Sequence, residues 1–233
     1  MSEISYKELM ASTIHFVGIG GGGMSGIARI LLALGADVSG SDVKDSSALD
    51  GLRTLGARIS IGHSEANVPQ SGVLVASSAI AEGNPEIIAA RSRGLVVLLR
   101  AQALALIMSQ KRAIAIAGTH GKTTTTSMAT VALQRCGADP SFAIGAAVTN
   151  SGTNAHHGSG DIFVAEADES DGSFLAYKPL GAVITNIELD HVDNFHSLVE
   201  MDELFAQFID SIQSGGFLVA CIDDSGVNRA LAK

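Results

Sequence analysis

The sequence predicts an α/β protein made of two units, each built on a parallel sheet. Three observations support this fold class. Short apolar strands alternate with helical segments along most of the 233 residues. The first apolar strand, residues 14–18, leads into a glycine-rich loop. A later apolar strand, starting at Arg112, leads into a second glycine loop that ends in Lys122 and Thr123. Strand, loop and helix in this order are typical of parallel α/β architectures.

The first unit is expected to cover residues 1–108. Gly35 and Gly56 follow the two earliest helices, as glycine often does at helix ends. Pro85 suits the start of a helix, because its fixed φ fits the first turn and its missing N–H is not needed there. The predicted strands are 14–18, 37–41, 58–61, 72–77 and 95–99, and the predicted helices are 24–34, 47–55, one beginning at 85, and 100–110.

The second unit is expected to cover residues 109–233. Its predicted strands begin at Arg112 and span 162–165, 182–185 and 217–221, and its predicted helices span 122–135 and 199–213. Residues 150–160 are polar and contain glycine, which predicts a loop. Residues 227–233 resemble the first turns of a helix with no cap or stop signal. We therefore expect this second domain to be incomplete at its C-terminal end.

Composition excludes several classes of protein. No apolar run approaches the ~18 residues that a membrane helix needs. Only Cys136 and Cys221 are present, and no leader-like segment opens the chain, so a cytoplasmic protein is expected rather than a secreted disulfide framework. The formal net charge of −9 argues against broad contact with a nucleic-acid backbone. A phosphate ligand must therefore be held by local amides and a few cations.

The first glycine loop, residues 18–26, has the spacing of a dinucleotide-type loop. Gly18, Gly20 and Gly23 allow the main chain to approach a pyrophosphate at a helix N-terminus. Asp42 follows Gly18 by 24 residues, near the position of the acid that receives a ribose hydroxyl in such folds. A Rossmann-like domain with a nucleotide diphosphate as ligand is predicted. The alternative is that these glycines only permit close packing of helix on strand.

The second glycine loop predicts a phosphate site of P-loop ATPase type. Lys122 is placed to neutralise the terminal phosphates of ATP, and the Thr123 hydroxyl to bind Mg²⁺. The usual motif has a glycine five residues before Gly121, and Ile116 stands at that position. The loop is therefore a shortened variant. The alternative is a glycine-rich turn that carries a surface lysine.

Acidic residues follow the predicted strand at 162–165, at the strand end where open α/β sheets bind ligands. Glu166 is the candidate Mg²⁺ ligand, because Mg²⁺ takes one or two carboxylates beside phosphate oxygens. A solvated acidic turn is the alternative for this cluster and is expected for some of its other members, Asp168, Glu169 and Asp171.

A further group of polar residues follows the predicted strand at 182–185. Thr185-Asn186 and Asp190-His191 lie there. His191 alone would more often be a hydrogen-bonded turn or core residue than a metal ligand. If the sheet is parallel, however, the ends of three strands bring Lys122-Thr123, Glu166 and Asp190-His191 to one edge.

In combination these motifs resemble the ATP-site motifs of the Mur ligases. The resemblance covers essentially the whole chain, and the first loop is similar to that of the member that joins UDP-N-acetylmuramic acid to L-alanine. It implies an ATP and Mg²⁺ site formed by Gly118, Thr119, His120, Gly121, Lys122, Thr123, Thr124, Glu166, Asn186 and His191. It also implies a UDP-sugar site formed by Gly18, Gly20, Gly21, Gly22, Gly23, Met24, Ser25, Gly26, Ser41, Asp42, His63, Ser77 and Ser78.

The resemblance further implies an ATP-driven amide synthesis in peptidoglycan precursor formation. The lactyl carboxylate of the sugar attacks the γ-phosphate to give an acyl phosphate and ADP, and the amine of L-alanine then displaces phosphate. It implies Lys122 on the β- and γ-phosphates, Thr123 and Glu166 on one Mg²⁺ and His191 on a second, with help from His120 and Asn186. Members of the family continue beyond the equivalent of Lys233 into a third domain with the amino-acid site. We therefore expect this chain to bind UDP-sugar without full turnover.

Three other interpretations remain open at the level of sequence. A sibling ligase that recycles a muramyl peptide would carry similar motifs. A nicotinamide-dependent oxidoreductase would explain the first loop and Asp42 but not Lys122. A noncatalytic nucleotide-binding module would explain Lys122 and Glu166 but leave the first unit without a role.

Overall fold

The computed structural model describes residues 4–148, 152–190, 195 and 197–233. It divides into two compact units. The first comprises Met1–Leu106 with Asn154–His157, and the second comprises Ile107–Thr153 with Gly158–Lys233. The division after Leu106 lies two residues before the boundary expected from the sequence.

The first unit is a five-stranded sheet with strand order β3-β2-β1-β4-β5, in which every pairing is parallel. A 3-10 helix, Glu65–Asn67, follows β3. The strands are β1 (Thr13–Val17), β2 (Asp37–Asp42), β3 (Arg58–Ile61), β4 (Val73–Ala76) and β5 (Val96–Leu99), and the helices are α1 (Tyr6–Met10), α2 (Gly22–Ala33), α3 (Ser47–Thr54), α4 (Pro85–Ser92) and α5 (Arg100–Met108).

The order of these strands indicates which edge of the sheet is suited to binding a ligand. The chain builds β1, β2 and β3 outward in one direction and then crosses back to pair β4 against β1. Such a switch point opens a crevice at the carboxyl ends of the strands. All four residues of β4 and four of the five residues of β1 are buried. The two strands at the switch point therefore belong to the core of the sheet.

A mixed six-stranded sheet with strand order β11-β10-β6-β9-β7-β8 forms the second unit, apart from residues 154–156 of β8, which are grouped with the first unit. The β11-β10, β10-β6, β6-β9 and β9-β7 pairs are parallel. A 3-10 helix spans Ser173–Ala176. The strands are β6 (Arg112–Ala117), β7 (Ser141–Val148), β8 (Thr153–His156), β9 (Ile162–Glu166), β10 (Gly181–Ile184) and β11 (Phe217–Ala220), and the helices are α6 (Lys122–Arg135), α7 (Leu198–Asp210) and α8 (Ser225–Leu231).

Aromatic packing holds α7 in the second unit. Phe174 stacks on Phe208, with ring centroids 4.7 Å apart, and meets Phe205 edge to face at 5.6 Å. All three rings are fully buried. Among the described residues, no helix is both long enough and apolar enough to cross a membrane.

The predicted α/β class with a glycine loop in each unit is confirmed, but the sheet of the second unit is mixed rather than wholly parallel. Two local predictions were wrong, and one strand was missed. Residues 153–156 form β8 inside the segment expected to be a loop, and β7 was not predicted. Only Ala155 of β8 is buried, and β7 contains Gly145, so neither segment shows a regular apolar alternation. The last helix does have an N-cap, because the Asp224 side chain accepts from Val227 N–H.

Candidate functional site

The loop between β6 and α6 has a backbone that requires glycine at two positions. Gly118 has φ +133°, and a Cβ there would lie 2.0 Å from Thr185 Oγ1. Gly121 caps α6 in the left-handed region, at φ +82°. Both conformations disfavour side chains with a Cβ. No side chain caps the N-terminus of α6, so the backbone N–H groups of its first turn can bind phosphate.

Residues after β10 brace this loop by hydrogen bonds. Asn186 Oδ1 accepts from His120 N–H at 2.9 Å, and its Nδ2 donates to His120 O at 3.0 Å. Thr185 Oγ1 donates to the same carbonyl at 2.7 Å. Thr119 N–H donates to Asn186 O at 3.0 Å. Asn186, expected as an ATP-site residue, thus holds the phosphate loop in shape.

Lys122 is held at the start of α6 by three acceptors. Its Nζ donates to Gly118 O at 2.8 Å, to Thr119 O at 3.2 Å and to Glu169 Oε1 at 2.9 Å. Glu169 is fully buried, and its burial raises the pKa of the carboxyl, while the hydrogen bond from Lys122 opposes that rise. Glu169 is therefore not one of the members of this acidic cluster that lie in a solvated turn.

Thr123 and Glu166 form the pair that fits a magnesium ion. Thr123 Oγ1 lies 3.0 Å from both Glu166 carboxylate oxygens, and Gly145 N–H donates to Glu166 Oε2 at 2.7 Å. Adjacent ligands in an octahedron with Mg²⁺–O bonds of about 2.1 Å are separated by about 3 Å. A hydroxyl and a carboxylate at this spacing suit a hard cation that takes its remaining ligands from phosphate and water.

Three further residues considered for this site are exposed or lie outside the described part of the chain. Thr124 is exposed in the first turn of α6. Asp171 is exposed, and its carboxylate accepts from Ser173 N–H, as in a solvated turn. His191 lies outside the described residues. Within the part of the chain that the structure describes, no cluster of three or more His, Cys, Asp or Glu side chains suits a metal.

The glycine loop of the first unit joins β1 to α2 at the switch point. Gly18 and Ile19 donate N–H groups to Ser41 O, at 2.9 and 3.0 Å. Gly20 N–H donates to Asp42 Oδ2 at 2.8 Å, so Asp42 orders the loop itself. Gly21 caps α2 without a side-chain hydrogen bond. The N–H groups of the first turn thus remain available to a diphosphate.

Other predicted residues of this unit lie deeper or further from the loop. The helix α2 buries Met24, Ser25 and Gly26, so their contribution is to seat the helix. Ser77 follows β4, and its Oγ accepts from Ala79 N–H at 3.2 Å; Ser78 is exposed. Sequence reasoning missed Arg100, whose guanidinium lies 3.3 Å from where a Cβ of Gly23 would be. An arginine far along the chain gives no local signal of this approach.

A second residue that sequence reasoning missed is Glu86, in the first turn of α4. Its carboxylate is fully buried and accepts hydrogen bonds from Ser41 Oγ at 2.5 Å, Asn67 Nδ2 at 2.7 Å and Ser64 N–H at 3.1 Å. Burial raises the pKa of this carboxyl, but the hydrogen bonds from these groups and from His15 outweigh burial and lower it to about 2. Glu86 is therefore an ionised group in the interior.

Family models match both units. The model described as "Mur ligase family, catalytic domain" matches residues 13–112, and that of the "Mur ligase middle domain" matches residues 116–233. The chain belongs to the Mur ligase family. The two glycine loops of this Mur ligase chain lie one in each matched region.

Curated relatives of this Mur ligase chain carry the name UDP-N-acetylmuramate–L-alanine ligase. The protein of Saccharopolyspora erythraea is 55% identical over 217 residues, covering 91% of this chain and 44% of the relative. That of Acidothermus cellulolyticus is 54% identical over 219 residues, covering 94% and 46%. The chain thus spans about half the length of the curated relatives it matches.

Two solved structures have the same fold as this Mur ligase chain. The UDP-N-acetylmuramate–alanine ligase of Thermotoga maritima has a TM-score of 0.81 at 32% identity, covering 94% of this chain and 51% of the other. The UDP-N-acetylmuramate:L-alanyl-γ-D-glutamyl-meso-diaminopimelate ligase of Neisseria meningitides has a TM-score of 0.87 at 30% identity, covering 95% and 74%.

Proposed function

We propose that this chain provides the UDP-sugar and ATP sites of an ADP-forming UDP-N-acetylmuramate–L-alanine ligase. The observation that carries the proposal is the 55% identity over 91% of the chain to a relative of that name. The solved alanine ligase and the solved diaminopimelate-peptide ligase are 32% and 30% identical to this chain, so the preference for the alanine-adding reaction rests on the curated relatives.

The first unit is assigned the UDP-sugar. Its loop offers N–H groups at the start of α2, where the helix dipole favours a diphosphate. Arg100 beside Gly23 supplies a cation in a protein whose net charge is −9. Asp42, His63 and Ser77 stand at the same sheet edge, so the uridine and its phosphates have polar partners there.

The second unit is assigned ATP. Lys122 Nζ is hydrogen-bonded to Gly118 O and to Glu169 at the N-terminus of α6. From this position it would contact the β- and γ-phosphates of bound ATP. Thr123 and Glu166 would hold a Mg²⁺ ion, which would neutralise phosphate charge when bound. His191 is retained as the candidate ligand of a second ion.

The reaction requires an anion to attack an anion. The lactyl carboxylate oxygen forms a bond to the γ-phosphorus as the bond to the ADP oxygen breaks, and the amine of L-alanine then displaces phosphate and loses a proton. Lys122 and the N–H groups of α6 are placed to stabilise the negative charge of the first step. Braces from Asn186 and Thr185 keep the loop in position, so little reorganisation is needed.

The 233-residue chain is expected to bind UDP-N-acetylmuramic acid without forming product. Support for this comes from its span of about half of relatives that bear the name of the whole activity. None of the described residues is assigned to L-alanine.

Isothermal titration of the chain with UDP-N-acetylmuramic acid, ATP-Mg²⁺ and NAD tests the proposal. Binding of the UDP-sugar but not of NAD is expected. Binding of NAD without the UDP-sugar would favour a nicotinamide-dependent oxidoreductase. Binding of ATP-Mg²⁺ alone would favour a noncatalytic nucleotide-binding module, and L-alanine-dependent release of ADP would overturn the expected lack of turnover.

A further inference from the structure

The hydroxyl of Ser41 lies between two side chains that compete for its single proton. Its Oγ is 2.5 Å from Glu86 Oε2 and 2.9 Å from His63 Nδ1. An ionised carboxylate only accepts hydrogen bonds, so the Ser41 proton must point to Glu86. Ser41 then offers only lone pairs to His63. The proton in the Ser41–His63 hydrogen bond must therefore be on His63 Nδ1.

The same reasoning assigns His15 the opposite tautomer. His15 Nε2 lies 3.4 Å from Glu86 Oε2, and its Nδ1 lies 2.9 Å from Ser39 Oγ. Because Glu86 accepts, the proton is on His15 Nε2, and Nδ1 accepts from Ser39 when the ring is neutral. One buried carboxylate thus sets two histidines into different tautomers.

The other ring nitrogen of His63 is directed away from this network. Among the described residues, Nε2 has no hydrogen-bond partner, and the side chain is 16% exposed. His63 follows the end of β3, and Ser41 and Asp42 end β2 beside it, with Asp42 paired to Ile61. A neutral His63 protonated on Nδ1 therefore presents an acceptor at the edge where the first glycine loop lies.

We propose that Glu86, acting through Ser41, is a positioning residue that holds His63 in its Nδ1–H form, so that Nε2 accepts a hydrogen bond from the UDP part of the substrate. The identity of the ligand rests on the proposed function. Three groups of UDP can donate: the imide N–H of uracil and the 2′- and 3′-hydroxyls of ribose. Asn67 and the Ser64 N–H also bind Glu86, which ties the segment carrying His63 to the same carboxylate.

Long-range ¹H–¹⁵N correlation spectra of the ligand-free chain test the tautomers directly. At a pH where the rings are neutral, His63 is expected to show a pyrrole-type Nδ1 and a pyridine-type Nε2, and His15 the reverse. A pyrrole-type Nε2 on His63 would overturn the proposal. This measurement needs no ligand, so it is independent of the proposed function.

Two variants separate positioning from a general loss of structure. Ser41→Ala and Glu86→Gln are both expected to release the Nδ1–H preference of His63, and Ser41→Ala suffices should Glu86→Gln fail to fold. Glu82→Gln is the matched control, because Glu82 is an exposed carboxylate bound to Arg91 outside this network. An unchanged His63 tautomer in the Ser41→Ala chain would contradict the proposed relay.

Titration with UDP analogues identifies the donor. UDP is compared with its N3-methyl, 2′-deoxy and 3′-deoxy forms. One analogue is expected to bind the wild-type chain about fivefold to tenfold more weakly than UDP, the scale of one hydrogen bond, and this difference should vanish in Ser41→Ala. Equal binding of all four would refute the contact to Nε2. Failure of UDP itself to bind would refute the assigned ligand and leave the tautomer result standing.

Discussion

The two glycine loops of the molecule hold their shape by different means. In the first, the Asp42 carboxylate accepts from Gly20 N–H. In the second, a lysine begins the helix and is bound to two loop carbonyls and to Glu169. A loop of amides suits a diphosphate that is only held. A loop with a cation and a hydroxyl–carboxylate pair suits phosphates that react.

Each unit also contains one fully buried glutamate, and their environments differ. Glu86 accepts from several side chains and from Ser64 N–H, and its pKa is lowered to about 2. Glu169 accepts a hydrogen bond from Lys122, and burial raises its pKa. Burial acts in the same direction on both carboxyls, and the hydrogen bonds outweigh it at Glu86 but not at Glu169.

The largest expected effect of a substitution in the two glycine loops is on the free energy of unfolding. Gly118→Ala should destabilise the second unit by about 3 kcal/mol or more, because a Cβ there meets Thr185 Oγ1 at 2.0 Å in a left-handed backbone. Gly22→Ala in the first loop is the matched control, since its Cβ would meet nothing within 4 Å. Urea unfolding followed through amide resonances of each unit measures both. Equal losses in the two variants would contradict this account.

The next largest effect is on how the stability of the first unit depends on pH. The pKa of Glu86 is lower in the folded chain than in the unfolded one, so its contribution to stability is present above pH 4.5 and is lost as the pH falls towards 2. The loss should amount to about 3 kcal/mol. Urea unfolding at several pH values, read from amides of β1, should show this slope in wild type and a much flatter one in Glu86→Gln. A slope retained in the variant would assign it to other carboxyls.

In the second unit, stability is expected to depend on pH more weakly and with the opposite sign. Burial raises the pKa of Glu169 in the folded chain, so folding favours its protonated form. The stability of this unit should fall as the pH rises from 4.5 through the raised folded pKa. Comparison of wild type with Glu169→Gln, read from amides of β9, isolates this contribution. A wild-type stability that rises over that range relative to the variant would show that Lys122 dominates.

Much of the fold follows from local pattern, and much of the site does not. The strand–loop–helix order at Gly18 and at Lys122 was readable, because glycine spacing and apolar runs are local signals. Glu86 and Arg100 were missed, and the burial of Glu169 beside Lys122 was not predicted, since the partners of these residues lie far away in the sequence. Glu86 also occupies the first turn of a helix, where an acid is ordinary.

The central claim is that the Lys122 loop binds ATP and that the first unit binds the UDP-sugar by its own residues. Titration of Lys122→Ala with ATP-Mg²⁺ and with UDP-N-acetylmuramic acid tests it most directly, with Lys178→Ala, an exposed lysine of the same unit, as control. Lys122→Ala is expected to weaken ATP binding by about a hundredfold and to leave UDP-sugar binding unchanged. Loss of UDP-sugar binding with ATP binding intact would contradict it.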